Sequence, residues 1–300
     1  MNTEPGLAER QVIIQGGHLN TDRRVTEAQL REALTLIEAE LRVDHAYSFR
    51  RHKFGKSRRQ QDFALTETHI SNPHRLQEWA TSERSSLIMI QGAYSERFAI
   101  RGLCVDLILT LQTKEIPTIW ALKSPRPSET SMTVSTTDIL RSLLCQALYL
   151  NMNLHSERLI SCISAAAQET ASPDAMFDIL ASTLDGITRV YLIIDVDSLS
   201  SFSEKIAWPS SILTMFRKLA DRGSQSNVKV MLASYTANTF LKVSDPEICE
   251  RVIRAEARAG GVRTRRCLNS QKTLRNVDIA QHRSLSRDLQ ARKLRSRDDA

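Results

Sequence analysis

Apolar residues near the N-terminus recur at the spacing of an amphipathic helix. Intervals of four, three and four separate Leu30, Leu34, Ile37 and Leu41. This period places the four side chains on one face, so we predict a helix over about residues 23–42.

From residue 74 onward, short apolar runs alternate with amphipathic stretches. The runs predict four buried strands, over residues 86–91, 117–122, 190–195 and 228–234. The amphipathic stretches predict helices over residues 74–81, 97–113, 137–151, 155–168, 173–184 and 209–221. Strands without polar alternation that are separated by helices pair in parallel, with both faces covered. The expected fold is therefore α/β, with a three-layer arrangement around a parallel sheet.

Composition places the chain among ordinary globular proteins, because 41% of its residues are apolar and 25% are charged. The apolar runs are far shorter than a membrane span, and the polar N-terminus does not resemble a secretory signal. We therefore expect an intracellular, most simply cytoplasmic, protein with no membrane contact. The five cysteines form no CxxC pair, so they give no support to a zinc site.

The net charge of +7 is unevenly distributed along the chain. Residues 250–300 carry 14 Lys or Arg against 6 Asp or Glu, whereas residues 1–249 carry 27 against 28. We predict an N-terminal helical region with a basic linker over residues 1–73, a sheet domain over 74–258 and a basic, mostly disordered tail over 259–300. Such a tail would contact nucleic acid only through phosphates and without sequence preference.

One GKS triplet, Gly55-Lys56-Ser57, lies in the basic stretch over residues 50–60. No apolar strand precedes it, and Arg50 occupies the position of the first glycine of a phosphate-binding loop. We therefore interpret this stretch as a solvated basic loop.

The turn after the first predicted strand is the place where a phosphate-binding loop would lie. Such a loop reads G-x-x-x-x-G-K-[ST]; its amides and Lys hold phosphates, and its hydroxyl binds Mg²⁺. Here Gly92 holds the first position, but Arg97, Phe98 and Ala99 replace the second glycine, the lysine and the hydroxyl. A simple strand-to-helix turn without a ligand is the alternative interpretation.

A carboxylate ends the third predicted strand. The run over 190–195 delivers Asp195 to the carboxyl edge of the sheet, where open α/β folds bind their ligands. Asp195 is the candidate Mg²⁺ ligand, and Asp197 is the acidic candidate for positioning a hydrolytic water. An arginine after the fourth strand could add charge near a γ-phosphate, but Tyr235 stands there.

The order and pattern of these segments resemble the NACHT-type NTPase domain of fungal STAND proteins, in the nephrocystin-3-like N-terminal group. The similar segments are residues 76–92, 137–148, 190–195 and 228–234. The resemblance implies a P-loop NTPase fold, with ATP or GTP and Mg²⁺ as the cofactors of active members. The family's GK[ST] triplet corresponds to Arg97, Phe98 and Ala99, and its second acidic pair corresponds to Ser198 and Leu199.

These replacements predict a degenerate NACHT-like signalling or scaffold module. It would be a pseudo-NTPase that binds nucleotide weakly or not at all and acts through protein contacts, including oligomerisation. Two alternatives stay open. One is an active ATP- or GTP-hydrolysing switch in which Arg97 replaces the lysine and Asp197 positions water; the other is non-specific nucleic-acid association through the basic tail.

Overall fold

The computed structural model describes residues 27–39, 41, 44–62, 68–70, 73–123, 134–151, 163, 171–236, 239–240 and 246–257. The predicted basic tail over 259–300 lies outside these residues. So does most of the predicted helix over 155–168, of which Ile163 alone is described and is helical.

A six-stranded sheet forms the centre of the described part of the chain. Its strands are β1 (Thr68–Ile70), β2 (Ser86–Gln91), β3 (Thr118–Ala121), β4 (Arg189–Asp195), β5 (Asn227–Ser234) and β6 (Val252–Ala257). Their order across the sheet is β1-β6-β2-β5-β4-β3. The five strands from β6 to β3 run parallel, and β1 pairs with β6 in the antiparallel direction. The predicted parallel α/β sheet is confirmed, and β1 and β6 extend it beyond the four predicted strands.

Helices occupy most of the connections between the strands. They are α1 (Glu27–Ala39), α2 (His45–Asp62), α3 (Pro73–Thr81), α4 (Arg97–Thr113), α5 (Thr136–Leu150), α6 (Pro173–Leu184), α7 (Phe202–Asp221) and α8 (Pro246–Cys249). No helix within these described ranges is both long enough and apolar enough to cross a bilayer.

Two predictions about helices are wrong: one helix was expected to be a loop, and one helix begins earlier than expected. The stretch over 50–60 is not a loop, because it forms the middle of α2. Helix α7 begins seven residues before the predicted start at Pro209, because the Ser201 side chain accepts a hydrogen bond from the Glu204 amide and caps the helix there. Pro209 consequently lies inside the helix rather than in its first turn.

Alternate residues of each central strand face two separate hydrophobic cores. In β4, Val190, Leu192 and Ile194 pack with α1, α5, α6 and α7, whereas Tyr191 and Ile193 pack with α3 and α4. Helices therefore cover both faces of the sheet.

The segment before the predicted boundary at residue 73 contributes to both cores. Leu34 of α1 belongs to the first core, and Phe49 of α2 belongs to the second. The strand β1 also joins the sheet by pairing with β6. The N-terminal helices consequently pack on the same sheet that carries the candidate site.

The docking of α1 predicts different effects for two nearby leucines. Leu34 is 4% exposed and Leu36 is 47% exposed. We expect Leu34→Ala to lower the free energy of unfolding by about 2–4 kcal/mol, since it leaves a cavity in the core. Leu36→Ala should change it by less than about 0.5 kcal/mol. Urea denaturation checks both values, and equal effects would contradict the docking of α1.

Candidate functional site

The chain leaves two neighbouring central strands toward opposite faces of the sheet. After β2 it continues into α4 in the second core, whereas after β5 it continues to Phe240 and Ile248, which pack in the first core. A crevice forms at the carboxyl edge where two adjacent parallel strands diverge in this way. The predicted site residues after β2, β4 and β5 all lie at this edge.

The turn after β2 is closed by its own glutamate. Residues Tyr94–Glu96 form a single 3-10 turn, and α4 begins immediately afterwards. The buried Glu96 carboxylate accepts a hydrogen bond from the Ala93 amide at 2.5 Å and from the Ser95 hydroxyl at 2.6 Å. This is the back-bond of a capping box, and it occupies an amide that a phosphate-binding loop would direct at its ligand.

Arg97 lies between two aromatic rings. Its guanidinium carbon is 4.1 Å from the centre of the Tyr94 ring and 4.2 Å from that of Phe98, and its Nη1 donates to the Tyr94 carbonyl at 2.9 Å. Its backbone is already helical, with φ −50° and ψ −38°. Ala99, in the first turn of α4, is half-buried and brings no polar group to the edge.

Close packing, and not a positive φ, explains why residue 92 is a glycine. Within the described residues, the glycines with positive φ are Gly186 and Gly223, not Gly92. A Cβ added at Gly92 would lie 2.6 Å from Ile100 Cδ1 and 3.3 Å from Glu96 Cβ. The glycine thus allows α4 to approach the end of β2 closely.

Asp195 is buried, and its oxygens already have partners within the chain. Its Oδ1 accepts the Asp197 amide at 3.0 Å, and its Oδ2 lies 3.6 Å from Arg101 Nε and 3.4 Å from the hydroxyl of Tyr235, which donates to it. Burial, with a smaller contribution from the charge of Asp197, raises the pKa of Asp195 to about 6, although Arg101 opposes the shift.

Arg101 is a site residue that the sequence pattern does not predict. It lies one turn after Arg97 on α4, donates from Nη2 to the Tyr235 hydroxyl, and holds its guanidinium 4.7 Å from the centre of that ring. Burial and the neighbouring Asp195 raise the pKa of Tyr235, so its hydroxyl stays protonated. The only sequence signal for Arg101 is its i, i+4 spacing from Arg97.

Asp197 accepts five hydrogen bonds. The donors are Lys205 Nζ at 2.9 Å, Thr236 Oγ1 at 2.5 Å, Ser234 Oγ at 3.1 Å, and the amides of Tyr235 at 2.6 Å and Thr236 at 3.1 Å. Burial alone would raise the pKa of Asp197, but the hydrogen bonds from Thr236, Lys205 and the Tyr235 amide outweigh it and hold the pKa below its usual value. A carboxylate offers about four lone-pair positions, so no position remains for a water or a metal ion.

The edge does not fit a magnesium ion. The Arg101 guanidinium and the Tyr235 hydroxyl lie against the Asp195 oxygen that would have to bind it. Across the described ranges, no group of three or more His, Cys, Asp or Glu side chains is placed to hold a metal. Mg²⁺ prefers six oxygen ligands in an octahedron, whereas the neighbours of the Asp195 carboxylate among the described residues are hydrogen-bond donors and a cation.

Neither the known protein families nor the curated proteins contain a match to this chain. A fold does not by itself fix a function, so the geometry of the carboxyl edge is the basis for any assignment.

The packing role of Gly92 can be tested with a double substitution. We expect Gly92→Ala to lower the free energy of unfolding by about 1–2 kcal/mol, because the new methyl group overlaps Ile100 Cδ1. In an Ile100→Val background, which lacks that methyl group, most of this loss should disappear. Urea denaturation of the four proteins measures the coupling, and additive effects would contradict the packing explanation.

Asp195 and Asp197 should respond in opposite ways to loss of their charge. The folded pKa of Asp195 lies above its unfolded value of about 3.8, so its contribution to stability is full below pH 4 and is lost as pH rises through 6. A shift of this size corresponds to about 2–3 kcal/mol. Asp195→Asn is neutral at every pH, so it should remove this decrease and raise the free energy of unfolding at pH 7 by up to about 2–3 kcal/mol relative to the wild type.

Asp197→Asn should instead lower the free energy of unfolding at pH 7 by about 2–4 kcal/mol, since Lys205 would lose its buried partner. Denaturation curves between pH 4 and pH 8 measure both variants. Equal losses at pH 7, or an unchanged pH slope in Asp195→Asn, would be inconsistent with these environments.

Proposed function

We propose that this chain is a degenerate NACHT-like signalling or scaffold module, a pseudo-NTPase that acts through protein contacts and binds nucleotide weakly or not at all. The observation that carries the proposal is the closure of the turn after β2 by Glu96. Phosphates bind at such turns because free amides and the start of a helix point at them. Here a carboxylate of the chain already holds the Ala93 amide, and its negative charge would repel a phosphate.

The cations at the edge are also engaged. Arg97, which would have to replace the missing lysine, stacks between Tyr94 and Phe98. Arg101 is directed at Asp195 and Tyr235. A phosphate would have to remove one of these guanidinium groups from its present partners before gaining a counter-charge.

The acidic groups support the same conclusion. Hydrolysis needs a metal-bound water and a residue that orients the attacking water. Asp197 is saturated by five donors, and the oxygens of Asp195 face an amide, a hydroxyl and a guanidinium instead of a metal ion or a water.

The outermost part of the edge offers a surface for protein contacts. Tyr94 is 66% exposed and Phe98 is 41% exposed, and they flank the half-buried Arg97. Tyrosine and arginine are enriched among the residues that dominate protein–protein affinity. In the family that the proposal invokes, the turn after the corresponding strand holds the nucleotide, and here the cluster occupies that turn.

The proposal predicts that the purified protein lacks a saturable nucleotide site. Titration with fluorescent ATP and GTP analogues in the presence of Mg²⁺ should give no dissociation constant below about 1 mM, which corresponds to about −4 kcal/mol. The engineered variant Glu96→Gly/Arg97→Gly/Phe98→Lys/Ala99→Ser, which restores the loop chemistry, should bind more tightly than the wild type.

Two results would contradict it. One is micromolar binding by the wild type that Asp195→Ala abolishes. The other is phosphate release that Arg97→Ala abolishes, which would favour the active-switch alternative. Circular dichroism of each variant would establish that the fold is retained.

A further inference from the structure

Helix α2 carries an unusual concentration of positive charge. It contains six Lys or Arg residues and no acidic residue before Asp62 at its end. Its inner face is fixed to the rest of the molecule, because Phe49 is buried in the second core, His52 hydrogen-bonds to the Lys123 carbonyl at 2.6 Å and Lys56 pairs with Asp106 of α4. The remaining cations therefore belong to a helix whose position is set by tertiary contacts.

The outer face of α2 forms a continuous exposed stripe. Its residues follow one another at intervals of three, one, three and one: Arg50, Lys53, Phe54, Ser57 and Arg58. We call these five residues the basic stripe. Among the described residues, no acidic side chain lies within ion-pair distance of Arg50, Lys53 or Arg58, so their charge faces solvent.

An aromatic ring stands in the middle of these cations. Phe54 is 64% exposed, and Arg50 and Arg58 lie one turn before and one turn after it. Tyr47 is half-buried two turns before Phe54 on the same side of the helix, with the Arg51 guanidinium 5.9 Å from its ring centre. The outer face thus alternates flat rings with guanidinium and ammonium groups.

We infer that the basic stripe of α2 binds single-stranded nucleic acid. Arg50, Lys53 and Arg58 contact successive phosphates, and the Phe54 ring stacks on a base. The nine residues from Arg50 to Arg58 span about 12 Å of helix axis, which matches about three to four phosphates of one strand. The inference does not depend on the carboxyl edge of the sheet, because none of the residues of the basic stripe belongs to the turn after β2 or hydrogen-bonds to Asp195 or Asp197.

The composition of the stripe favours this partner over a membrane or an acidic protein. An interfacial helix buries an apolar face in the lipid, but α2 already directs Phe49 into the protein core. A protein interface has an apolar centre with a polar rim, whereas Phe54 is surrounded by cations and Ser57. Base stacking needs only one exposed ring beside phosphate-binding side chains.

The test uses the full chain and fluorescein-labelled (dT)20 and (U)20, with fluorescence anisotropy between 50 and 300 mM KCl. We expect Arg50→Glu/Lys53→Glu/Arg58→Glu to weaken binding at least about ten-fold. A matched control, Arg263→Glu/Arg265→Glu/Arg266→Glu, makes the same charge change in the C-terminal segment and should weaken binding less than about three-fold. With three phosphates contacted, the salt slope should be about −2.

Phe54 gives a second, independent readout. Phe54→Ala should weaken binding about ten-fold without changing the salt slope, and Phe54→Trp should retain wild-type affinity. Thermal melting of every variant checks folding, which should be unaffected because all of the substituted helix positions are exposed.

The inference is overturned by any of four results. These are absence of binding at 50 mM KCl, a larger loss in the C-terminal control than in the α2 variant, unchanged affinity in Phe54→Ala, and α2-dependent binding to phosphatidylserine vesicles without binding to either oligonucleotide. The last result would assign the stripe to a membrane surface instead.

Discussion

The carboxylate of Asp197 connects three parts of the chain at the carboxyl edge of the sheet. Asp197 follows the end of β4. Its carboxylate accepts hydrogen bonds from the ammonium group of Lys205 in α7 and from the amides and hydroxyls that follow β5. Because the residue is buried, loss of the Lys205 ammonium group would leave an uncompensated charge. The segment after β5 is therefore held in one position, and that position places Tyr235 against Asp195.

The remaining groups of the edge follow from this arrangement. The Tyr235 hydroxyl accepts a hydrogen bond from Arg101 of α4 and donates one to Asp195. The carboxylate at the end of β4 therefore faces a hydroxyl and a guanidinium instead of open solvent. In the turn that leads into α4, the Glu96 carboxylate likewise accepts a hydrogen bond from the Ala93 amide of the same turn. Glu96, Asp195, Asp197 and Arg101 at the carboxyl edge are each compensated by another group of the chain, which is the opposite of a site prepared for a charged ligand.

The sequence predicted the parts of the fold that depend on burial alone. The apolar runs of β2, β4 and β5 identified the centre of the sheet, since a strand buried on both faces needs apolar residues throughout. Strand β6 was missed because Arg254 is exposed there while Ile253 is buried, and β1 has only three residues. Helix α2 was missed because tertiary contacts, not an apolar stripe, define its inner face.

The site was predictable in location but not in chemistry. The positions of Asp195, Asp197 and Gly92 followed from where the strands end. The roles of Glu96 and Arg101 depend on which amide and which carboxylate their side chains reach in three dimensions. Pattern alone does not determine such contacts, because more than one acidic or basic residue lies within a few positions of the ends of β2 and β4.

Helix α4 contacts both the carboxyl edge of the sheet and helix α2. Its first turns supply Arg97 and Arg101 to the aromatic and acidic groups of the edge, and Asp106, further along, pairs with Lys56 of α2. Lys56 is half-buried and its charge is compensated, whereas the cations on the opposite side of α2 face solvent. The same helix thus supplies counter-charges at the carboxyl edge of the sheet and fixes α2 through Lys56. The exposed positive charge of the described chain is thereby confined to side chains that the core contacts do not use, such as those of the basic stripe.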